Sequence, residues 1–187
     1  MTEIQSKLLK RNAIDISGRI TPETSGYVRE ALQDRYANGV PQILITINSG
    51  GGSAYAGLDI YDMIKFYPGS TIGVALVAAG SAACTILQAC TWRVATRNAH
   101  ILIHHTKFDI SWDVLTDPKK RDVFIESNRH LLNSKEILAR RTSKNLDQIF
   151  EKCSDDNWIN AGEALEFGLL DQLVETADEI RFPDAKQ

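Results

Sequence analysis

Gln42-Ile-Leu-Ile-Thr-Ile-Asn48 runs straight into Ser49-Gly50-Gly51-Gly52, after which Ala56, Ile60, Ile64 and Tyr67 recur at spacings of four, four and three. A continuous β-branched run marks a strand buried on both faces. The glycines mark a tight turn, and the recurrence marks the buried stripe of a helix. Strand, turn and helix form the repeating unit of an α/β domain, and the alternation continues on both sides of this stretch. Upstream, Ala13-Ile-Asp-Ile-Ser17 alternates as a short strand ended by Gly18. Thr21-Pro22 then opens a helix, with Thr as cap and Pro at the first helical position, which Asn38-Gly39 stops. Downstream, Pro68-Gly69 breaks the second helix and a strand starts over Ser70–Ala75. From Ala78 to Cys90 the chain is small or apolar on every side, which predicts a buried helix, and Arg93–Arg97 and Ile101–His105 are predicted strands.

Pro118 opens a charged segment in which Phe124, Leu131 and Leu138 recur every seven residues. The spacing predicts a helix over 117–142 that projects as a handle and lays its apolar stripe at a subunit interface. Asn145–Lys152 and Asn160–Gly168 are predicted as two shorter helices, Leu169–Val174 as a last strand, and 175–187 as a mobile tail. The whole chain, 1–187, is expected to form one domain with a short N-terminal segment, 1–12. Its composition, 43% hydrophobic and 24% charged, is that of a globular protein. A net charge of −3 argues against a surface built for nucleic acid or anionic lipid. No apolar run approaches the roughly 18–20 residues of a membrane span, and Met1–Asn12 lacks the apolar centre of a secretion signal. A cytoplasmic location is expected. Cys84, Cys90 and Cys153 are too few and too scattered for a disulfide framework or a zinc ligand set.

The glycine cluster invites comparison with phosphate-binding loops. Gly52 and Gly57 satisfy the outer glycines of a P-loop, but Leu58-Asp59 stand where Lys-Ser/Thr would hold the phosphates. The dinucleotide pattern fails at Tyr55, where it needs glycine. What remains is either a plain tight turn or an oxyanion hole of backbone N–H groups. Ser81, at the junction of a strand and a buried helix, is either a small packing residue or a nucleophile beside helix N-terminal amides. His104 ends an apolar strand, where it is a buried structural histidine or a base. A metal site from His100, His104 and His105 lacks a third ligand on one face of that strand. Asp155 and Asp156, just before Asn157-Trp158, read most simply as a polar helix entry.

The segments weigh more together than singly. Ile47-Asn-Ser-Gly-Gly-Gly-Ser-Ala-Tyr-Ala-Gly-Leu-Asp-Ile-Tyr-Asp62 resembles the ClpP family of serine peptidases, whose loop reads I-N-S-P-G-G and runs into A-G-x-x-I-Y-D. The family's nucleophile follows at a fixed spacing that falls, without a gap, on Ser81. Its histidine strand ends hydrophobic-x-I-H, matched by Ile101-Leu-Ile-His104. Its acid lies in D-x-[F/W]-[L/I]-x-A-x-E-A followed by G-L-[V/L]-D, matched by Asp156–Ala164 and Gly168–Asp171. Gly50 replaces the loop's proline, Gly80 replaces the alanine before the serine, and Ala82-Ala83 replace Met-Gly after it. The resemblance, from about Ser6 to Val174, implies a ClpP/crotonase-like spiral of β-β-α units. It implies a serine endopeptidase with Ser81, His104 and Asp156 as catalytic triad, the N–H groups of Gly52 and Ala82 as oxyanion hole, and neither cofactor nor metal. It further implies a homo-oligomeric ring, two stacked heptamers in the fullest form, cleaving peptides and unfolded proteins, with a Clp-type ATPase unfoldase as candidate partner. A catalytically silent ring subunit and a crotonase-type acyl-CoA enzyme are the alternatives.

Overall fold

The structure, a computed structural model, describes residues 1–105, 110–129, 133–154 and 156–181. Its elements in chain order are α1 (Glu3–Leu9), β1 (Ala13–Ser17), α2 (Pro22–Ala37), β2 (Ile43–Ser49), α3 (Ala54–Phe66), β3 (Thr71–Gly80), α4 (Ala82–Ala89), β4 (Trp92–Thr96) and β5 (His100–Ile103). These are followed by α5 (Trp112–Thr116), α6 (Pro118–Asn128), α7 (Asn133–Thr142), α8 (Leu146–Lys152), β6 (Asn157–Asn160), α9 (Ala161–Phe167) and β7 (Gln172–Val174). The α/β class expected from the strand–turn–helix unit holds. Ile43, Ile45 and Ile47 have no exposed surface, and the α3 stripe of Ala56, Ile60, Ile64 and Tyr67 is buried as its spacing requires. Thr21 caps α2 through a reciprocal pair with Thr24, and Pro22 begins the helix.

One sheet holds the seven strands of the described residues; its main path runs β1-β2-β3-β4-β7, with every neighbour on that path parallel. β3 is the longest strand and divides its partners. Ile72–Ala75 pair with β4, whereas Ala78–Gly80 pair with β5. β6 then adds to β5 antiparallel, with Ile103 opposite Asn157. The second half of β3 thus carries a branch of the same sheet, β5 and β6, while Ala79 still pairs with Ser49 of β2. A register shift between Ile47 and Ser49 marks the place.

Several boundaries differ from expectation. Ala78–Gly80 belong to β3, so the buried helix begins at Ala82; small residues satisfy either state, and pairing with β5 decides it. All eight residues of α4 are buried, as its all-round apolar character requires. β5 ends at Ile103, one residue before His104. Asn157–Asn160 form β6 rather than a helix entry, and Asn160 caps α9 with Glu163. Leu169 and Leu170 turn inward after the left-handed Gly168, leaving only Gln172–Val174 as strand. Within 1–12 the chain forms α1, with a capping box at Thr2 and Leu9 in the core. The handle comprises α6, capped by Asp117, and α7; residues 130–132, Leu131 among them, lie outside the described residues. Leu138 packs in the intramolecular core rather than at an outer face. The tail is tied down as far as it is described: Arg181 N donates to Gln172 Oε1 at 2.9 Å, and Gln172 Nε2 donates to Glu179 O at 2.6 Å. Residues 182–187 lie outside the described residues. Among the described residues no helix is long and apolar enough to cross a membrane.

Candidate active site

The β3-β5-β6 branch of the sheet explains how residues far apart in sequence meet. β3 and β5 are parallel, so their C-terminal ends lie at one edge, and antiparallel β6 begins there. Ser81 follows β3, His104 follows β5 and Asp156 precedes β6. The Ser81 N–H donates to Leu102 O at 2.8 Å, fastening the first strand end to the second. Ligands of open α/β sheets gather at such carboxyl ends.

Ser81 sits at φ 52°, ψ −118°, outside both the helical and the extended regions. A non-glycine residue there costs about 1–3 kcal/mol and persists only where its surroundings impose it. The glycine loop supplies those surroundings. A Cβ on Gly51, at φ 107°, would lie 2.7 Å from Gly80 O and 2.8 Å from Ser81 Cβ. A Cβ on Gly80 would lie 2.7 Å from Gly50 O and 2.9 Å from the Trp158 ring. The two glycines that depart from the family pattern, Gly50 and Gly80, therefore face each other. The loop is fastened by Gly51 N to Ser49 Oγ (3.0 Å), Ile20 N to Gly51 O (2.9 Å) and Ser53 N to Ile20 O (2.9 Å). The Gly52 N–H takes part in none of these bonds. Ala82 is the first residue of α4, so its N–H has no intrahelical acceptor and lies at the positive end of the helix.

Gly52, Ser81, Ala82 and His104 line one cleft of about 350 Å³. His104 is 14% exposed and its Nδ1 lies 3.6 Å from Asp156 Oδ1, a charge-pair distance rather than a hydrogen bond; Asp156 is 57% exposed. The Lys135 ammonium, from α7, donates to the His104 backbone carbonyl. Cys84, one turn past Ser81, also lines the cleft, but burial pushes its thiol up to about 12, so it carries no thiolate at neutral pH. Across the mouth the Tyr55 hydroxyl meets Asn128 Oδ1 at 3.1 Å, joining the start of α3 to the end of α6.

All five residues singled out from the sequence, Gly52, Ser81, Ala82, His104 and Asp156, lie at this sheet edge. Lys135 was not anticipated, because within Asn133-Ser-Lys-Glu136 it reads as one more solvated charge. The available signal was its spacing: it stands three residues before Leu138, on the apolar stripe of the handle.

Comparison with known proteins shows the family. The Clp protease family model matches residues 1–177. ATP-dependent Clp protease proteolytic subunit 2 of Treponema pallidum is 31% identical over 177 residues, which is 93% of this chain and 87% of that protein. Subunit 3 of Rhodococcus jostii is 33% identical over 143 residues, 74% of this chain and 68% of that one. Among solved structures, a ClpP1 mutant from Listeria monocytogenes superposes with a TM-score of 0.77 at 26% identity, covering 94% of this chain and 98% of its own. The sheet that forks at β3, the strand ends it gathers and these matches along nearly the full length lead to one assignment: the chain belongs to the Clp protease family, whose proteolytic subunits are serine-type peptidases.

Proposed function

We propose that Ser81, His104 and Asp156 hydrolyse peptide bonds as a catalytic triad, with the Gly52 and Ala82 N–H groups as oxyanion hole. Ser81 Oγ attacks the scissile carbonyl carbon while its proton passes to His104 Nε2, the nitrogen turned away from Asp156. The tetrahedral oxyanion is held by the two N–H groups. As the C–N bond breaks, His104 returns the proton to the leaving amine, and water then releases the acyl group by the same steps. The observation that carries this reading is the strained Ser81 at a helix start, at the same sheet edge as His104 and Asp156. In this reading the subunits form a ring, two stacked heptamers in the fullest form, that encloses the active sites and receives unfolded protein from a Clp-type ATPase. Residues 3–9 form a docked helix rather than a loop, so hydrolysis of short peptides is expected without nucleotide.

A fluorophosphonate probe tests the assignment. The purified chain should be labelled on Ser81, and Ser81→Ala should lose both the label and peptide hydrolysis, by a factor on the order of 10⁴–10⁶. Hydrolysis within tenfold of the parent would place the nucleophile elsewhere. A chain that assembles but takes no label is a silent ring subunit.

A further inference from the structure

We propose that Lys135 selects substrates carrying an acidic side chain, Asp or Glu, on the acyl side of the scissile bond. The inference rests on the assignment of Ser81 as nucleophile and names the substrate class of that site. From Ser81 the cleft continues along α4 to Cys84 and Thr85, which stand on the same helical face one turn on, and is closed by Ser134, Lys135 and Leu138 of α7. The residue whose carbonyl Ser81 attacks must place its side chain beside the nucleophile, and this is the space available there. Leu58, Leu102 and Leu138 make its apolar walls. Among the described lining residues, Lys135 is the one besides His104 with a basic side chain, and none has an acidic one.

Lys135 is only 5% exposed. An ammonium carries three donors and is strongly hydrated in water. Here it donates to the His104 carbonyl, and among the described residues no carboxylate pairs with it. The neighbouring thiols of Cys84 and Cys153 are held protonated by burial and give it no counter-charge. A buried cation without an anion is costly, and an entering carboxylate supplies the missing partner. An apolar side chain would instead displace water from the ammonium and return nothing, and a lysine or arginine would bring a like charge.

Holding the His104 carbonyl is a second effect of the same ammonium, and the two effects separate in kinetics. Misplacing His104 slows every substrate by one factor, whereas losing the counter-charge changes the ratio between substrates. The test uses four peptides that differ only in the residue on the acyl side of the cleaved bond: Glu, Gln, Leu and Lys. With the unaltered chain, kcat/KM for Glu should exceed that for Gln and Leu on the order of 10- to 100-fold, with Lys slowest. Lys135→Met should invert the order of Glu and Leu, and Lys135→Arg should keep Glu ahead, while fluorophosphonate labelling reports whether each variant retains its site. Leu or Gln cleaved as well as Glu by the unaltered chain, or one common loss for all four peptides in Lys135→Met, overturns the proposal and leaves Lys135 only its hold on His104. If the variants do not fold, the profile of the unaltered chain decides by itself. A chain that cleaves none of the peptides and takes no probe at Ser81 overturns the triad assignment, and this proposal with it.

Discussion

Ser81 keeps a positive φ because the backbone around it leaves no other place for the turn. Gly51 and Gly80 approach so closely that neither admits a Cβ, and Ala82 lies against Gly57 on the far side. Gly51→Ala adds a methyl group against backbone and forces a side chain onto φ 107°, so it should destabilise the fold by about 1–3 kcal/mol. The rate of fluorophosphonate labelling should fall more than stability alone explains, because the group pushed aside is the serine turn. An unchanged labelling rate in a folded Gly51→Ala protein would show that the loop does not set the serine. At this scale spacing carries the information: Ser81, His104 and Asp156 are each proposed from position in a motif, and all three lie at one sheet edge. The φ of Ser81 was not legible, because only glycine or asparagine advertises a left-handed residue locally. Nor was the use of Gly80 legible, since its neighbours are Gly50 and Trp158, which are far off in the chain.

Among elements, the decisive tie lies away from the cleft. Arg93, at the start of β4, reaches Asp171 just before β7 through Nε–Oδ2 (2.8 Å) and Nη2–Oδ1 (2.5 Å), while its Nη1 donates to Gln88 Oε1 and Gly168 O, both at 2.7 Å. The Arg93 backbone N–H also donates to Asp171 Oδ2 at 2.8 Å. Burial alone would raise the Asp171 carboxyl, but the hydrogen bonds and charge of Arg93 outweigh it and hold the group below its ordinary value. Asp171→Asn leaves a buried guanidinium without its anion and should cost about 3–5 kcal/mol, read as a lower urea midpoint. The pH dependence follows in sign. The unfolded carboxyl titrates near 3.9 and the folded one below that, so this stabilisation is present above about pH 4 and is lost as pH falls through the folded value. Between pH 5 and 3 the parent should therefore lose more stability than Asp171→Asn does, and equal losses would deny the carboxylate this role. Elements with a full period, such as α3 and α4, were legible from pattern alone. β6 was not: four residues are too few to show a period, and its state is decided by β5 beside it. The same holds for Ala78–Gly80, whose small side chains suit a strand or a helix until a partner strand is present.

For the whole molecule, the question is what covers the handle. Leu138 faces inward and is 4% exposed, so the seven-residue recurrence does not form a single outer stripe. The uncovered apolar groups lie elsewhere, with Trp112 and Leu115 on α5 at 77% and 51% exposed and Val123 and Ile125 on α6 at 66% and 55%. Apolar side chains left exposed in this number on two successive helices point to an association surface, and in a ring of identical subunits the same surface recurs at each interface. Val123 contributes almost nothing to the subunit's own packing, so Val123→Asp should leave the fold intact, with an unchanged thermal midpoint of the dissociated chain. At an interface, however, the new carboxylate would lose its water without gaining a partner, a penalty repeated in every subunit. Light scattering coupled to size exclusion should then find Val123→Asp as smaller species than the parent. Peptide hydrolysis should fall with particle size, and partial recovery at high protein concentration would mark the loss as one of assembly. A variant with the parent's mass would show that α5 and α6 remain open to solvent in the assembled particle, and would move the subunit contact to another face.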